Sequence, residues 1–421
     1  MRSPEPQGYY AASAPAPPPR ARLDGAVKAD VCIAGGGYTG LVAALTLAKA
    51  GARVALLEAD SVGYRASGRN GGQIHSGQRQ DQDSLERWLG ETHARDLWRL
   101  SEDAKALVRR LVAEHTIACD LKPGLVIAAH NARALRKLAQ ETDYLQRHYA
   151  DASIRMIDAD ETAQLLGTQA YRGAKFDSGG GHLHPLRYAR GLADAAEKSG
   201  ATIYEQSRVL SVEDGRATTA QGSVTADWIL LACDAYTGDL VPALAPYIAQ
   251  LESFIVATVP LSDEQYAQTL PCDAAVADTR HVLDYYRKSD DRRLLYAGRE
   301  AYWSPPEDVA GLVRPRMAAV YPKLADIPIE YGWHGTVGIT ATRLPHFGRL
   351  GPRTLFAHGY SGQGVALATL GGQLLAEAAL GRPERFETMA RVPARKFPGG
   401  QALRRPLVTA GLLWLKLLDV F

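Results

Sequence analysis

Cysteine is scarce in this chain. Four residues among 421, Cys32, Cys119, Cys233 and Cys272, lie far apart with no CxxC pair. That leaves neither a disulfide framework nor a zinc site to expect, and it fits a reducing cytoplasm. Long apolar runs are missing as well. No stretch reaches the ~18 residues that a membrane-crossing helix needs, and the nearest, Leu407 to Phe421, is broken by Lys416 and Asp419. Nothing near the start reads as a secretory signal. Charge of one sign is absent, because 48 basic residues against 46 acidic ones leave a net +2, and with it goes the footprint of general nucleic-acid binding. No pair among His75, His182, His184, His334 and His358 has metal-site spacing beside an acidic ligand, so no metal is expected. Hydrophobic residues at 46% and charged residues at 22% supply ample core for two or three domains.

Residues 1–28 contain Ala14-Pro15-Ala16-Pro17-Pro18-Pro19 and read as an extended arm, with folded structure starting near Ala29. The strongest local signal follows at once. Asp30 to Ala34 is a short β-type run, Gly35-Gly36-Gly37-Tyr38-Thr39-Gly40 follows, Leu41 to Ala50 is helical in composition, and Arg53 to Glu58 is a buried strand. This is a βαβ unit of about 30 residues. Gly35, Gly37 and Gly40 satisfy GxGxxG, in which the glycines allow the tight turn, the approach of a pyrophosphate to backbone N–H groups, and close helix–strand packing. Glu58, 18 residues after Gly40, ends the second strand where a carboxylate accepts hydrogen bonds from ribose hydroxyls. The pattern predicts a dinucleotide site. The next segment, Ala66-Ser67-Gly68-Arg69-Asn70-Gly71-Gly72-Gln73, favours a flavin: its small residues let backbone N–H groups approach a phosphate or ring unobstructed.

Periodicity places one or two amphipathic helices over Asp83 to His115, a strand over Gly124 to Ala129, and helices over Ala132 to Gln146 and Pro185 to Ser199. Asp158 or Asp160 could cap a short helix ending near Leu166. Asp177 to Leu183 reads as a loop, and Trp228 to Ala232 as an apolar strand returning to the nucleotide-binding sheet. Leu251 to Pro260, His281 to Arg287, Leu294 to Arg299 and Glu330 to Ala341 read as strands of a second, largely antiparallel domain, interrupted by a helix over Pro306 to Tyr321. The strand Thr354 to His358 then leads through Gly359-Tyr360-Ser361-Gly362-Gln363-Gly364 into the helix Val365 to Leu380, whose N-terminus offers a positive dipole end to an electron-rich ring.

GGGYTG, the acid at Glu58, ASGRNGGQ and the late HGYSGQGV together resemble the FAD-dependent D-amino-acid oxidase superfamily, also called the glycine/sarcosine oxidase group, and within it the members that oxidise gamma-glutamylputrescine. The resemblance extends to Tyr9-Tyr10-Ala11-Ala12-Ser13-Ala14, Thr342-Arg343-Leu344-Pro345 and Phe397-Pro398-Gly399-Gly400-Gln401, so it spans nearly the whole chain. Ala232-Cys233-Asp234-Ala235 departs from the ATG-like turn of many relatives. The resemblance implies an α/β fold in which an FAD-binding Rossmann-like βαβ domain is interleaved with a mixed, largely antiparallel β-sheet substrate domain. Residues 29–80, 185–250 and 346–385 fall to the FAD domain, and 81–184 and 251–345 to helical and substrate-binding regions. Residues 386–421 form a tail with an amphipathic helix. The implied cofactor contacts are Gly35, Gly37, Tyr38, Thr39, Gly40, Glu58, Ser67, Gly68, Arg69, Asn70, Gly71, Gly72, Gln73, Val209, Gly362, Gln363, Gly364 and Val365. No Cys sits in the turn around Ser361, so FAD is expected to be held noncovalently, with a His-linked flavin as the alternative.

Such enzymes oxidise a C–N bond to an imine, which hydrolyses to an aldehyde, and pass the electrons to oxygen or a quinone. The flavin does the bond change, so the protein supplies orientation and electrostatics. Arg343 is the first candidate to clamp a substrate carboxylate, Tyr285, Tyr286 and Trp333 to wall an alkyl-amine slot, and His75 to act in catalysis. Two other classes compete. An NAD(P)-dependent dehydrogenase leaves ASGRNGGQ unexplained. A non-catalytic nucleotide-binding or membrane-surface protein is suggested by the amphipathic tail Leu412 to Phe421.

Overall fold

The structure is a computed structural model that describes residues 8–213, 215–301 and 307–398. Two sheets carry the chain. In the first, the strands lie in the order His346–Arg349, Thr354–His358, Gly222–Leu231, Gly25–Ala34, Val54–Leu57 and Thr202–Tyr204, with the small strands Ser211–Glu213 and Arg216–Thr218 attached beside Gly222–Leu231. Its centre is parallel: Val31 pairs with Val54 on one side and Trp228 on the other. Such strands are buried on both faces, and Val54–Leu57 is accordingly buried throughout.

The helix Tyr38–Lys49 packs on this sheet with ten of its twelve residues buried, so it is apolar all round rather than on one stripe. It crosses the helix Gly364–Ala379 at Gly372, where a Cβ would lie 2.2 Å from the Thr39 carbonyl oxygen. Thr39 Oγ1 donates to the Ala368 carbonyl across the same contact (3.1 Å). The same core takes in the helices Pro185–Lys198 and Glu91–Glu114 through Leu97, Leu107, Val108 and Leu192. Within 81–184 the helix Glu91–Glu114 therefore packs with the first sheet, whereas Leu166, which ends the helix Ala159–Leu166, joins the core of the second.

The second sheet runs Ile329–Ile339, Ala249–Thr258, Leu294–Ala301, Tyr285–Lys288, Ala275–Asp278, Lys122–Ala128, Ala174–His182 and Gln73–Ile74, with Ile154–Ile157 paired to Ala174–His182. Among the described residues of this sheet, only Ala275–Asp278 with Lys122–Ala128 is a parallel pair. One face is closed by the helix Val309–Val320 over Phe254, Tyr286 and Tyr296.

Three expectations change. The arm is not extended from 8 onwards: Tyr9–Ser13 is a short helix with Tyr9 and Tyr10 buried, and the first strand begins at Gly25 rather than near Ala29, because 25–29 pair with Gly222–Ala226. Asp177 to Leu183 is not a loop. Its glycines are strand residues required by close approach, since a Cβ at Gly181 would lie 2.5 Å from the Lys122 carbonyl oxygen and one at Gly180 2.6 Å from Leu125 Cβ. Residues 384–390 form a helix with Phe386 fully buried; the tail helix expected over Leu412 to Phe421 and Gly399-Gly400-Gln401 lie outside the described residues.

Candidate active site

A cavity of about 570 Å³ lies between the two sheets. On the first-sheet side it is walled by the turns that leave the C-terminal ends of the parallel strands, where ligands bind in open α/β sheets. Gly35 adopts φ +112, and a Cβ there would sit 2.5 Å from the Ala232 carbonyl oxygen, so this turn admits only glycine. Glu58 Oε2 accepts from the Gly36 N–H (2.6 Å) and Oε1 from the Asp60 N–H (2.9 Å). Burial raises its carboxyl above the usual range, and the two N–H donors work against that rise. Both oxygens keep a lone pair for a further donor.

Ser67 Oγ accepts from the Tyr38 N–H (3.1 Å), fastening the loop to the helix N-terminus. Asn70 ties that loop internally: its Nδ2 donates to the Ala66 carbonyl (2.9 Å), and its Oδ1 accepts from the Gly72 N–H (2.7 Å). The helices Tyr38–Lys49 and Gly364–Ala379 both point N-termini at the cavity, and neither N-cap residue, Gly37 or Gln363, supplies a side-chain cap. Gln363 Oε1 is buried without a partner among the described residues. Open helix ends, a glycine wall and a carboxylate with free lone pairs match the pyrophosphate and ribose of FAD, so the residues present fit that group.

The second-sheet side brings Gln73, His75, Leu251, Ser253, Ile255, Tyr285 and Arg343 to the cavity. Leu251, Ser253 and Ile255 are alternate residues of one strand and share its inner face. Ser253 Oγ and Tyr285 Oη are hydrogen-bonded at 2.9 Å. Arg343 sits at φ +63 in a turn held by the Thr340 hydroxyl, which donates to the Leu344 carbonyl (2.7 Å). An arginine in the left-handed region is held there by its surroundings, and such positions cluster at functional sites. Burial pushes the His75 imidazole down to about 4, with Arg79 adding to the effect, so it is neutral at pH 7.

Gly35, Gly37, Tyr38, Thr39, Glu58, Ser67, Arg69, Asn70, Gly71, Gln73, Val209, Gly362, Gly364, Val365, His75, Tyr285 and Arg343 thus line one cavity. Gly40, Gly68, Gly72 and Gln363 stand behind the wall. A Cβ at Gly40 would meet the Gly35 carbonyl oxygen at 1.9 Å, so this glycine serves helix–strand contact. Two substrate candidates are corrected. Tyr286 follows Tyr285 on a strand, so it points to the opposite face, stacked on Tyr296 in the second core (5.2 Å). Trp333 is buried beside Tyr10, with its indole N–H on the Arg69 carbonyl (3.0 Å).

Residues that sequence reasoning passed over include Ser253, Arg208 and Asp234. Strand alternation from Leu251 would have found the first. Asp234 lies just past the Gly222–Leu231 strand, at the end where sites form. Its buried carboxylate takes the Gly359 N–H (2.8 Å) and those of Ala235, Tyr360 and Gly338, and burial still raises it above the usual range.

Residues 30–378 match the family model described as FAD dependent oxidoreductase, labelled DAO. The chain belongs to the DAO family of FAD dependent oxidoreductases. It is 38% identical over 416 residues to gamma-glutamylputrescine oxidoreductase of Escherichia coli (strain K12), covering 98% of this chain and 97% of the relative. It is 39% identical over 427 residues to the probable oxidoreductase OrdL of Rhizobium meliloti (strain 1021), covering 100% and 99%. Glycine oxidase from Geobacillus kaustophilus has a similar fold, with TM-score 0.73, 21% identity, and 85% of this chain and 95% of that one covered. This DAO-family chain is an enzyme whose cofactor is FAD, which removes the NAD(P) and non-catalytic readings. No helix among the described residues is long and apolar enough to cross a membrane.

Proposed function

We propose that this enzyme oxidises the C–N bond of an amine that carries a carboxylate, of the gamma-glutamylputrescine kind, to an imine that water converts to an aldehyde. The observation that carries this reading is the distribution of charge in the cavity. Among the described residues its four carboxylates, Glu58, Asp60, Asp234 and Asp239, all follow strands of the first sheet, whereas the second-sheet wall presents Arg343 and Arg79 and no carboxylate. A guanidinium clamps a carboxylate with two parallel hydrogen bonds. The relative named for gamma-glutamylputrescine supports the same substrate class.

Glu58 and the open helix ends at Gly37 and Gln363 would hold the adenosine, pyrophosphate and ring of FAD. When bound, FAD supplies the acceptor for the hydride leaving the carbon beside the nitrogen, and oxygen or a quinone takes the electrons onward. The chain's own part is placement. Arg343 fixes the far end of the substrate, Tyr285 and Ile255 flank the alkyl chain, and the neutral His75 receives a hydrogen bond from the amine without repelling it.

Arg343→Ala should slow anaerobic flavin reduction by gamma-glutamylputrescine by about thirty-fold or more, since stripping one partner from a desolvated charge pair costs about 2 to 5 kcal/mol. Arg343→Lys should recover part of the rate, because it keeps the charge and loses the fork. Free putrescine, without a carboxylate, should reduce parent and variant flavin equally slowly. Parent-like reduction of Arg343→Ala by the gamma-glutamyl amine would place the carboxylate elsewhere.

A further inference from the structure

The family match starts at residue 30, yet the segment before it is built into the site's outer wall. Tyr9 and Tyr10 are 1% and 2% exposed. Tyr10 Oη accepts from Arg287 Nη2 (3.2 Å), and Arg287 Nε donates to the Gly71 carbonyl (2.9 Å). A Cβ at Gly8 would rest 3.3 Å from Trp333 Cβ, and the Tyr10 ring lies edge-on to that indole (5.2 Å). Trp333 in turn donates to the Arg69 carbonyl (3.0 Å). Two carbonyls of the cavity loop are thus gripped by two nearly buried side chains, and 8–10 cover both.

We propose that the helix Tyr9–Ser13 is a clasp which, through the positioning residues Arg287 and Trp333, sets the loop 66–73 in the form that receives FAD. The inference rests on the reading that this loop contacts the cofactor. In a planar trans peptide the C=O and N–H point opposite ways, so drawing the Arg69 oxygen toward Trp333 turns the Asn70 N–H away from it. Asn70 also lines the cavity. The loop's back is closed at Gly72, which holds φ +75 with its carbonyl accepting the Leu183 N–H (2.9 Å). Without the clasp, the glycines of this loop would sample many conformations, and FAD binding would have to order them.

Tyr9 provides the control. Its hydroxyl donates to Asp291 (2.6 Å) at the turn after the Tyr285–Lys288 strand, so it anchors the same helix without reaching the loop. The experiment titrates FAD into apoprotein, follows the quenching of flavin fluorescence, and measures the denaturation midpoint of each apoprotein. Trp333→Phe and Tyr10→Phe each remove one hydrogen bond in the chain of contacts and should weaken FAD by about fivefold, the effect of one ordinary hydrogen bond. Arg287→Met should weaken it more, and Arg287→Lys should restore part. Tyr9→Phe, which loosens the helix without touching its contacts to Arg287 or Trp333, should lower the midpoint at least as much as Tyr10→Phe and weaken FAD less. Parent-like affinity in Trp333→Phe and Tyr10→Phe overturns the clasp. So does a loss of affinity that simply follows the loss of stability across all variants, Tyr9→Phe included. Gly37→Val separates the two readings: full FAD binding by that variant defeats the placement of the cofactor itself, whatever the clasp variants do.

Discussion

Glycines 37 and 40 belong to one motif and fail in different ways when filled. A side chain at Gly37 meets only the Ser67 hydroxyl, at 2.8 Å, which can swing aside, whereas one at Gly40 drives into the Gly35 backbone. Gly37→Val should therefore purify folded and largely free of flavin, read as the ratio of visible to ultraviolet absorbance. Gly40→Val should lower the yield of folded protein itself, because overpacking against backbone costs about 1 to 3 kcal/mol or more. Glu58→Ala removes a buried acceptor from the Gly36 and Asp60 N–H groups and from the ribose. FAD affinity measured by titration should fall by about 1 to 3 kcal/mol. These residues were legible because the signal is local: a strand, a glycine turn and a helix within one short run. Arg343 is singled out by its place between the substrate sheet and the returning helix together with the family resemblance, and the structure brings it to the cavity; its left-handed backbone leaves no mark in composition.

Among the elements, the helix Pro185–Lys198 shows how a cap becomes a pH device. His184 is its N-cap, with Nδ1 accepting the Arg187 N–H (3.2 Å) and Nε2 facing Ser13 Oγ (3.0 Å), which assigns the proton to Nε2. Burial pushes this imidazole down from its ordinary 6.5 to about 3, so the folded protein keeps it neutral while the unfolded chain protonates it near 6.5. Its stabilising contribution is complete above pH 6.5 and drains away as the pH falls toward 3. His184→Asn keeps a good cap and cannot titrate. Between pH 6 and 4, the parent's unfolding free energy should fall more steeply than the variant's, by roughly 1.4 kcal/mol per pH unit. Comparing slopes removes any difference in absolute stability. Other elements escaped a reading by composition. Asp177 to Leu183 has the glycine content of a loop, and only the neighbouring strand Lys122–Ala128 explains why side chains are excluded there. Tyr285 and Tyr286 carry the same chemistry, and the two-residue period of a strand sends one to the cavity and the other to the core.

For the molecule as a whole, Asp234 is the point where distant parts of the chain meet. The strand Gly222–Leu231, the second sheet at Gly338 and the turn at Gly359 and Tyr360 all converge on one buried carboxylate. Asp234→Ala strands several backbone N–H groups at once and should lower apoprotein stability by about 2 to 4 kcal/mol in chemical denaturation. Asp234→Asn, which keeps one accepting oxygen, should lose less. No sequence window contains this junction, because apart from the adjacent Ala235 its partners, Gly338, Gly359 and Tyr360, are more than a hundred residues away. The clasp carries the same trait further, with Tyr9 bonded to a residue 282 positions along. During synthesis, the helix Tyr9–Ser13 cannot make its contacts with Arg287, Asp291 and Trp333 until those residues have followed it out of the ribosome. That helix is then among the last elements to find its place, and the cavity loop waits for it.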